Sequence, residues 1–315
     1  MGQRKGKLSV IIPAYNEEKM IHKTSVIIAD ILKQEHIDYE LLFINDGSKD
    51  ETWKEIEEQC NENPNISAVC FARNFGKEAA MFAGLENCTG DCAVIIDCDL
   101  QHPPLKIVEM YHLWQEGIDV IHGVKSDRGN ESKIHRFFAD SFYMIISKIT
   151  KMNMKNASDF KLIDRKVIEL LVAMPERNTF FRALSSWVGF KTATVLFEVQ
   201  EREEGKSKWS FVSLTKYALS NITSFSTLPM QFVTFSGIAF LFLSIILGIR
   251  ALLSYIVNDV TNELLIVISV QACIGSIVMI GIGIVGYYIA KIYDEVKGRP
   301  RYIVQEKKNI SNIKQ

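Results

Sequence analysis

Hydrophobic positions in the first half of the chain follow two rhythms. Short, nearly uninterrupted apolar runs, KLSVIIPAY (7–15), YELLFIND (39–46), ISAVCFA (66–72) and CAVIIDCD (92–99), predict strands buried on both faces. Between them, NEEKMIHKTSVIIADILKQE (16–35), GSKDETWKEIEEQCNE (47–62) and GKEAAMFAGLENC (76–88) read as helices. Ser48 and Glu51 stand at capping-box spacing ahead of the second helix. This alternation predicts an α/β domain whose mostly parallel, Rossmann-like sheet is covered by helices on both faces. Ligands of such sheets bind beyond the carboxyl ends of the strands. Asp46, Asp97, Asp99 and the AYNEE turn after the first strand all fall there.

The last third changes character. Phe225–Ile249 and Leu264–Ala290 contain no charged residue, and each exceeds the roughly 20 residues that cross a bilayer as a helix. The loop between them is acidic. From Lys291 onward seven Lys/Arg outweigh three Asp/Glu, which places the tail on the cytoplasmic side. The expected organisation is a cytoplasmic domain (1–209), an amphipathic juxtamembrane segment (210–224), two spans (about 225–249 and 264–290) and a basic cytoplasmic tail (291–315). The start of the chain lacks a signal-peptide pattern, so the expected location is the inner, cytoplasmic membrane with both termini inside. A chain cut before Phe225 is expected to keep nucleotide binding, because the nucleotide motifs lie upstream. Gly281–Gly286, GIGIVG, matches a dinucleotide fingerprint letter for letter, but its setting inside an apolar run excludes a Rossmann dehydrogenase.

Composition adds exclusions. A net charge of −1 gives no case for nucleic acid. Six cysteines without CxxC or Cys/His spacing predict reduced thiols. The chemistry therefore rests on carboxylates. Taken as strand residues, Asp97 and Asp99 share one face, where two carboxylates repel unless a cation lies between them. Hard oxygen ligands suit Mg²⁺ or Mn²⁺, with coordination positions left for phosphate oxygens. Asp46 alone is equally well read as a cap or turn residue.

VIIPAYNEE, FINDGSKDET, FARNFGKEAAMFAGL and IIDCDLQHPP, in this order, resemble the successive motifs of the family 2 glycosyltransferases. NASDFKLIDRKV, REEGKSKWS and GRPRYIV after the spans resemble the polyprenyl-phosphate branch, which includes bactoprenol glucosyltransferases and dolichol-phosphate mannose synthases. The resemblance implies a GT-A domain followed by two transmembrane helices. It also implies metal-dependent, inverting transfer of a sugar from UDP-glucose or UDP-N-acetylglucosamine to undecaprenyl phosphate. GDP-mannose as donor and a non-catalytic nucleotide-sugar binder remain the alternatives. A processive polysaccharide synthase is disfavoured, since no QxxRW signature is present. Implied partners are the nucleotide sugar, the polyprenyl lipid, the membrane, a separate flippase, a downstream glycosyltransferase and further copies of the chain.

Residue by residue, the resemblance gives Pro13, Tyr15, Glu17 and Asp46 to the nucleoside, and Asp97, Asp99 and Gln101 to the metal and donor diphosphate. Arg202, Lys206 and Lys208 add positive charge at the donor, or attract anionic lipid. Arg128 and Arg136, in an amphipathic stretch, are candidates for the acceptor phosphate, with an ordinary helix packed on the sheet as the lesser alternative. Asp159 matches the position of the catalytic base. A phosphate monoester loses its second proton near pH ~6, however, so Asp159 is expected to orient the acceptor more than to deprotonate it. Asp164 is expected to be structural, paired with Arg165 or Lys161.

Overall fold

The computed structural model describes residues 4–125, 157–174, 181–187, 189–198 and 263–310. Residues 1–209 with 300–315 form one compact unit, and residues 210–299 form a second. The expected first span (225–249), the juxtamembrane segment and Arg128, Arg136, Arg202, Lys206 and Lys208 lie outside the described residues.

The first unit is built on one eight-stranded sheet. Its strands are β1 (Leu8–Ala14), β2 (Tyr39–Asn45), β3 (Ile66–Phe71), β4 (Cys92–Ile95), β5 (Val120–Lys125), β6 (Ala157–Asp164), β7 (Thr192–Phe197) and β8 (Val304–Lys308), in the spatial order β7-β5-β6-β4-β1-β2-β3-β8. The centre, β4-β1-β2-β3, is parallel, with Ile11 opposite Ile95 and Ile12 opposite Phe43. All seven residues of β2 are buried, as its uninterrupted apolar run requires. β6 runs antiparallel between β4 and β5, and β8 closes the other edge antiparallel to β3.

The helices of this unit are α1 (Ile21–Gln34), α2 (Thr52–Glu62), α3 (Lys77–Asn87), α4 (Leu105–Gln115), α5 (Arg165–Ala173) and α6 (Phe181–Trp187). Leu8, Val10 and Ile12 join the core that α1, α2 and α4 also line, through Ile28, Ile56 and Met110. Ile11, on the opposite face of β1, meets α3 at Gly84, where an added Cβ would collide with the Ile11 side chain. The helix–sheet distance there is set by the missing side chain.

Several sequence expectations are corrected. β4 ends at Ile95, so Asp97 and Asp99 stand in the turn after the strand, and the same-face argument does not apply. Leu100, with φ 56°, turns the chain. Ser48 does not cap α2. The N-cap is Glu51, with no side-chain cap bond, and Asp50 before it accepts from the Thr52 N–H (3.2 Å) and hydroxyl (2.5 Å). Asp164 is structural, but its partners are Arg4 (3.1 Å) and the Trp114 indole N–H (2.7 Å), and it caps α5 through the Lys166 N–H (3.1 Å). Arg165 instead donates to the carbonyls of Cys88 and Gly90. Cys60, Cys70, Cys88, Cys92 and Cys98 are free, as expected, and buried.

The tail does not stand apart as a basic segment. Tyr302 stacks on Phe71 with ring centroids 4.7 Å apart, and the Arg301 guanidinium lies 4.7 Å from the Phe82 centroid. The Asn309 amide donates to the carbonyls of Cys60 (2.8 Å) and Ile66 (2.9 Å). A chain cut before Phe225 therefore lacks the eighth strand of the sheet.

In the second unit, α7 (Glu263–Val296) is one continuous helix of 34 residues. Val267, Ile274, Val278, Ile282, Val285, Ile289 and Ile292 on it are exposed. Among the described residues no helix is long and apolar enough to cross a membrane. Gly281–Gly286 lies in mid-helix, so the dinucleotide fingerprint is excluded on structure as well.

Candidate functional site

Two loops meet beyond β1 and β2. Asn16, held at φ 54°, donates its backbone N–H to Ser48 Oγ (3.0 Å), while its side-chain oxygen accepts from the Lys49 N–H (2.9 Å). The Glu17 N–H donates to Thr52 Oγ1 at 2.9 Å. These short polar side chains hold Tyr15 and Glu17, both partly exposed, at the end of β1. Pro13 lies within β1 opposite Ile44, two residues past Ile11, where the pairing of β1 with β4 ends.

Asp46 follows β2 and is 4% exposed. One carboxylate oxygen accepts from the Phe75 N–H (2.7 Å), and the other from the Asn74 amide and the Gly76 N–H (both 2.9 Å). Burial pushes its carboxyl up from the ordinary value, against the opposing pull of those N–H groups. Both oxygens are thus engaged in shaping the loop before α3. Gly47, at φ 63°, lies so close to the Arg73–Asn74 backbone that no Cβ fits.

A second constellation forms where β4 meets β6. The antiparallel register ends with Ile95 opposite Lys161, and just beyond it Asp97 and Asp159 come close enough to share one lysine. Two carboxylates so placed repel, and cations from elsewhere in the chain balance them. Lys77, opening α3, places Nζ 2.6 Å from Asp97 Oδ1 and 3.1 Å from Asp159 Oδ2. Arg182, on α6, grips Asp159 from the other side, Nε to Oδ1 at 2.6 Å and a terminal nitrogen to Oδ2 at 2.9 Å. Burial raises the Asp159 carboxyl, but Arg182 and Lys77 overcome it and hold the group well below the ordinary carboxylate range. Asp97 is likewise held low, with Lys77 and then His102 outweighing burial.

Asp99 accepts from the Gln101 backbone N–H at 3.2 Å, which fixes the turn carrying the third proposed metal ligand. Among the described residues no group of three or more His, Cys, Asp or Glu side chains could hold an ion by itself. The donor set nevertheless fits a hard divalent cation that shares its coordination with phosphate oxygens: two carboxylates and an amide oxygen are present. The Lys77 ammonium already occupies a cation position against Asp97. His102 beside them is stacked on Phe160 (5.0 Å), and burial lowers its basicity, so it serves as packing.

Lys77, Glu78 and Arg182 have no role in the sequence reading, and Lys161 only that of a partner for Asp164. A signal existed for Lys161. The two-residue period of SDFKLID puts it on the face of Asp159, while Phe160 and Leu162 enter the core. Arg182 had none, because only the fold brings α6 to β6.

Fold and site together define an α/β protein that gathers balanced carboxylates and cations at the carboxyl edge of its sheet, where such sheets bind their ligands. The model of glycosyl transferase family 2 matches residues 9–171, and the chain belongs to that family; it is a glycosyltransferase. The uncharacterized glycosyltransferase YkcC of Bacillus subtilis (strain 168) is 36% identical over 310 residues, 96% of this chain and 95% of its own length. The prophage bactoprenol glucosyl transferase homolog of Escherichia coli (strain K12) is 38% identical over 305 residues, 96% of this chain and 99% of its own. The solved mannosyl-3-phosphoglycerate synthase of Rubrobacter xylanophilus shares the fold, with a TM-score of 0.50 at 13% identity over 69% of this chain and 72% of its own. The sheet is accordingly GT-A-like.

Proposed function

We propose that the protein transfers a hexose from UDP-glucose or UDP-N-acetylglucosamine to a polyprenyl phosphate at the cytoplasmic face of the inner membrane. The product is a lipid-linked monosaccharide for cell-envelope glycosylation, with the anomeric configuration inverted. The observation that carries the reading is the alternating chain Asp97–Lys77–Asp159–Arg182. It occurs in a chain 38% identical, nearly end to end, to a bactoprenol glucosyl transferase homolog.

In this reading an acceptor phosphate oxygen attacks the anomeric carbon as the bond to the donor diphosphate breaks, and the electron pair leaves with the nucleoside diphosphate. Lys77 and Arg182 supply positive charge where these anions meet. Asp159 remains a carboxylate and holds both cations in place. The acceptor is largely a dianion above pH ~6, so it requires little proton removal. Asp97, Asp99 and Gln101 would hold Mg²⁺ or Mn²⁺, which supplies Lewis-acid stabilisation of the leaving diphosphate. The clasped loops at Tyr15 and Glu17 receive the nucleoside, with Asp46 shaping their neighbour. Arg202, Lys206 and Lys208 complete the donor side, and Arg128 and Arg136 the acceptor side.

Membrane attachment through 225–249 and Leu264–Ala290 supports delivery of the lipid. The uncharged sequence and the exposed apolar residues of the continuous α7 favour it. The test is to incubate the full chain in vesicles with undecaprenyl phosphate and a panel of labelled nucleotide sugars, then extract the lipid. Label in the lipid phase from one UDP-sugar supports the reading, and none from any donor refutes it.

A further inference from the structure

Arg182 can grip both oxygens of Asp159 only if α6 is held at one rotation. Apolar packing already attaches this short helix, since Phe181 is fully buried, Leu184 is 2% exposed, and the Phe181 ring meets Phe82 edge-on at 6.4 Å. Two ionisable side chains add directed bonds at its first turn. Lys161, 1% exposed, extends Nζ from β6 to the Arg182 carbonyl (3.1 Å) and to Ser185 Oγ (2.7 Å). Glu78, next to Lys77 on α3, accepts the Phe181 N–H at 3.0 Å. The same two neighbouring elements therefore hold Asp159 and Lys77 and also fix the backbone that carries Arg182.

These groups are costly where they are. Burial brings the Lys161 amine down to about 7, while burial and then the Asp159 charge push Glu78 up to about 7. Apolar side chains of the same size would attach α6 at lower cost, but they would not direct it. Neither residue belongs to the donor or acceptor roles given above.

We propose that Lys161 and Glu78 are positioning residues: they set the rotation of α6 so that the Arg182 guanidinium meets Asp159 squarely. The inference rests on the transferase reading above. Neither side chain touches the substrate. Their effect passes through Arg182, so their loss lowers the rate of the transfer step and leaves donor binding nearly intact.

The experiment is a mutant cycle on the full chain in vesicles, with labelled UDP-glucose and undecaprenyl phosphate. Lys161→Met is expected to lower kcat by about 10- to 100-fold, with the KM for UDP-glucose changed by less than about twofold. In an Arg182→Ala background the same substitution is expected to cost less than about twofold, because its route of action is gone. Glu78→Ala is expected to behave like Lys161→Met. Glu78→Gln, whose amide oxygen still accepts from the Phe181 N–H, is expected to recover most of that loss. Fully additive losses, or a wild-type rate in Lys161→Met, would overturn the proposal. Where Lys161→Met fails to fold, Ser185→Ala removes one of its hydrogen-bond partners and enters the same cycle. A wild-type chain that moves no glucose refutes the functional reading instead. Amide exchange of residues 181–187 then decides: about tenfold faster exchange in Lys161→Met upholds the positioning role, and unchanged exchange overturns it.

Discussion

The carboxyl edge of the sheet holds its two halves together in different ways. Beyond β1 and β2, short side chains (Asn16, Ser48, Asp50 and Thr52) bond mainly to backbone N–H groups of the adjoining loop. Beyond β4 and β6, long charged side chains from α3 and α6 balance two carboxylates against each other. Hydrogen bonds to the backbone fix shape and leave little free charge, which suits a neutral nucleoside. The charged half stores field, which suits a reaction in which negative charge moves from sugar linkage to leaving diphosphate. Substitutions should therefore act on rate in one half and on binding in the other.

The largest effect is expected at Asp97. Asp97→Asn removes a carboxylate from the proposed cation site and leaves Lys77 paired with Asp159 alone, and transfer should fall by about 10³-fold or more. EDTA should do the same to the wild type, with Mg²⁺ or Mn²⁺ restoring activity; full activity in chelator would remove the metal from the account. Next comes Arg182→Ala, expected to cost about 10²–10³-fold in kcat with the donor KM little changed. A matching rise in KM would move Arg182 to the binding half.

Removing residues 300–315 should act on stability. It takes away β8, the Tyr302–Phe71 stack and the Asn309 bonds, an expected loss on the order of 3–5 kcal/mol. Denaturant unfolding of the truncated and full chains measures it, and equal midpoints would show the tail to be an accessory. The smallest effect belongs to the nucleoside half. Thr52→Val leaves the Glu17 N–H without its acceptor and should weaken UDP binding by a few-fold, about 1 kcal/mol, with kcat unchanged. Titration calorimetry with UDP reads this directly.

The same contrast explains what the sequence made legible. β1, β2 and β3 appear as apolar runs, and Asp46, Asp97 and Asp99 fall near strand ends, because a parallel sheet writes its burial into local pattern. The partners of those carboxylates are not local. Lys77 opens a helix like many surface lysines, and Arg182 lies 23 residues beyond Asp159. Only the antiparallel insertion of β6 between β4 and β5 brings Asp159 to Asp97. The tail was misread for the same reason: VQEKK carries too little hydrophobicity to announce an edge strand, and its charges are those that edge strands commonly carry. The expected pairing of Asp164 with Arg165 or Lys161 rested on sequence proximity. Arg4 makes the ion pair from 160 residues away.

Asp159 also ties stability to pH. Its folded-state value lies below the ordinary one, so its pairing stabilises fully above pH ~4 and is lost as pH falls through the lowered value. Acid unfolding of Asp159→Asn should therefore show a flatter dependence on pH below ~4 than that of the wild type. The central claim, that Asp159 orients cations and does not remove a proton, is tested most directly by the pH–rate profile of Asp159→Asn between pH 6 and 9. Donor should be saturating and undecaprenyl phosphate the acceptor. The account predicts a loss of about 10²-fold or more that stays nearly constant above pH ~7, because the acceptor is already a dianion and misplacement does not titrate. A mutant that recovers steeply and continuously as pH rises would show Asp159 to be a true base, and would contradict the account.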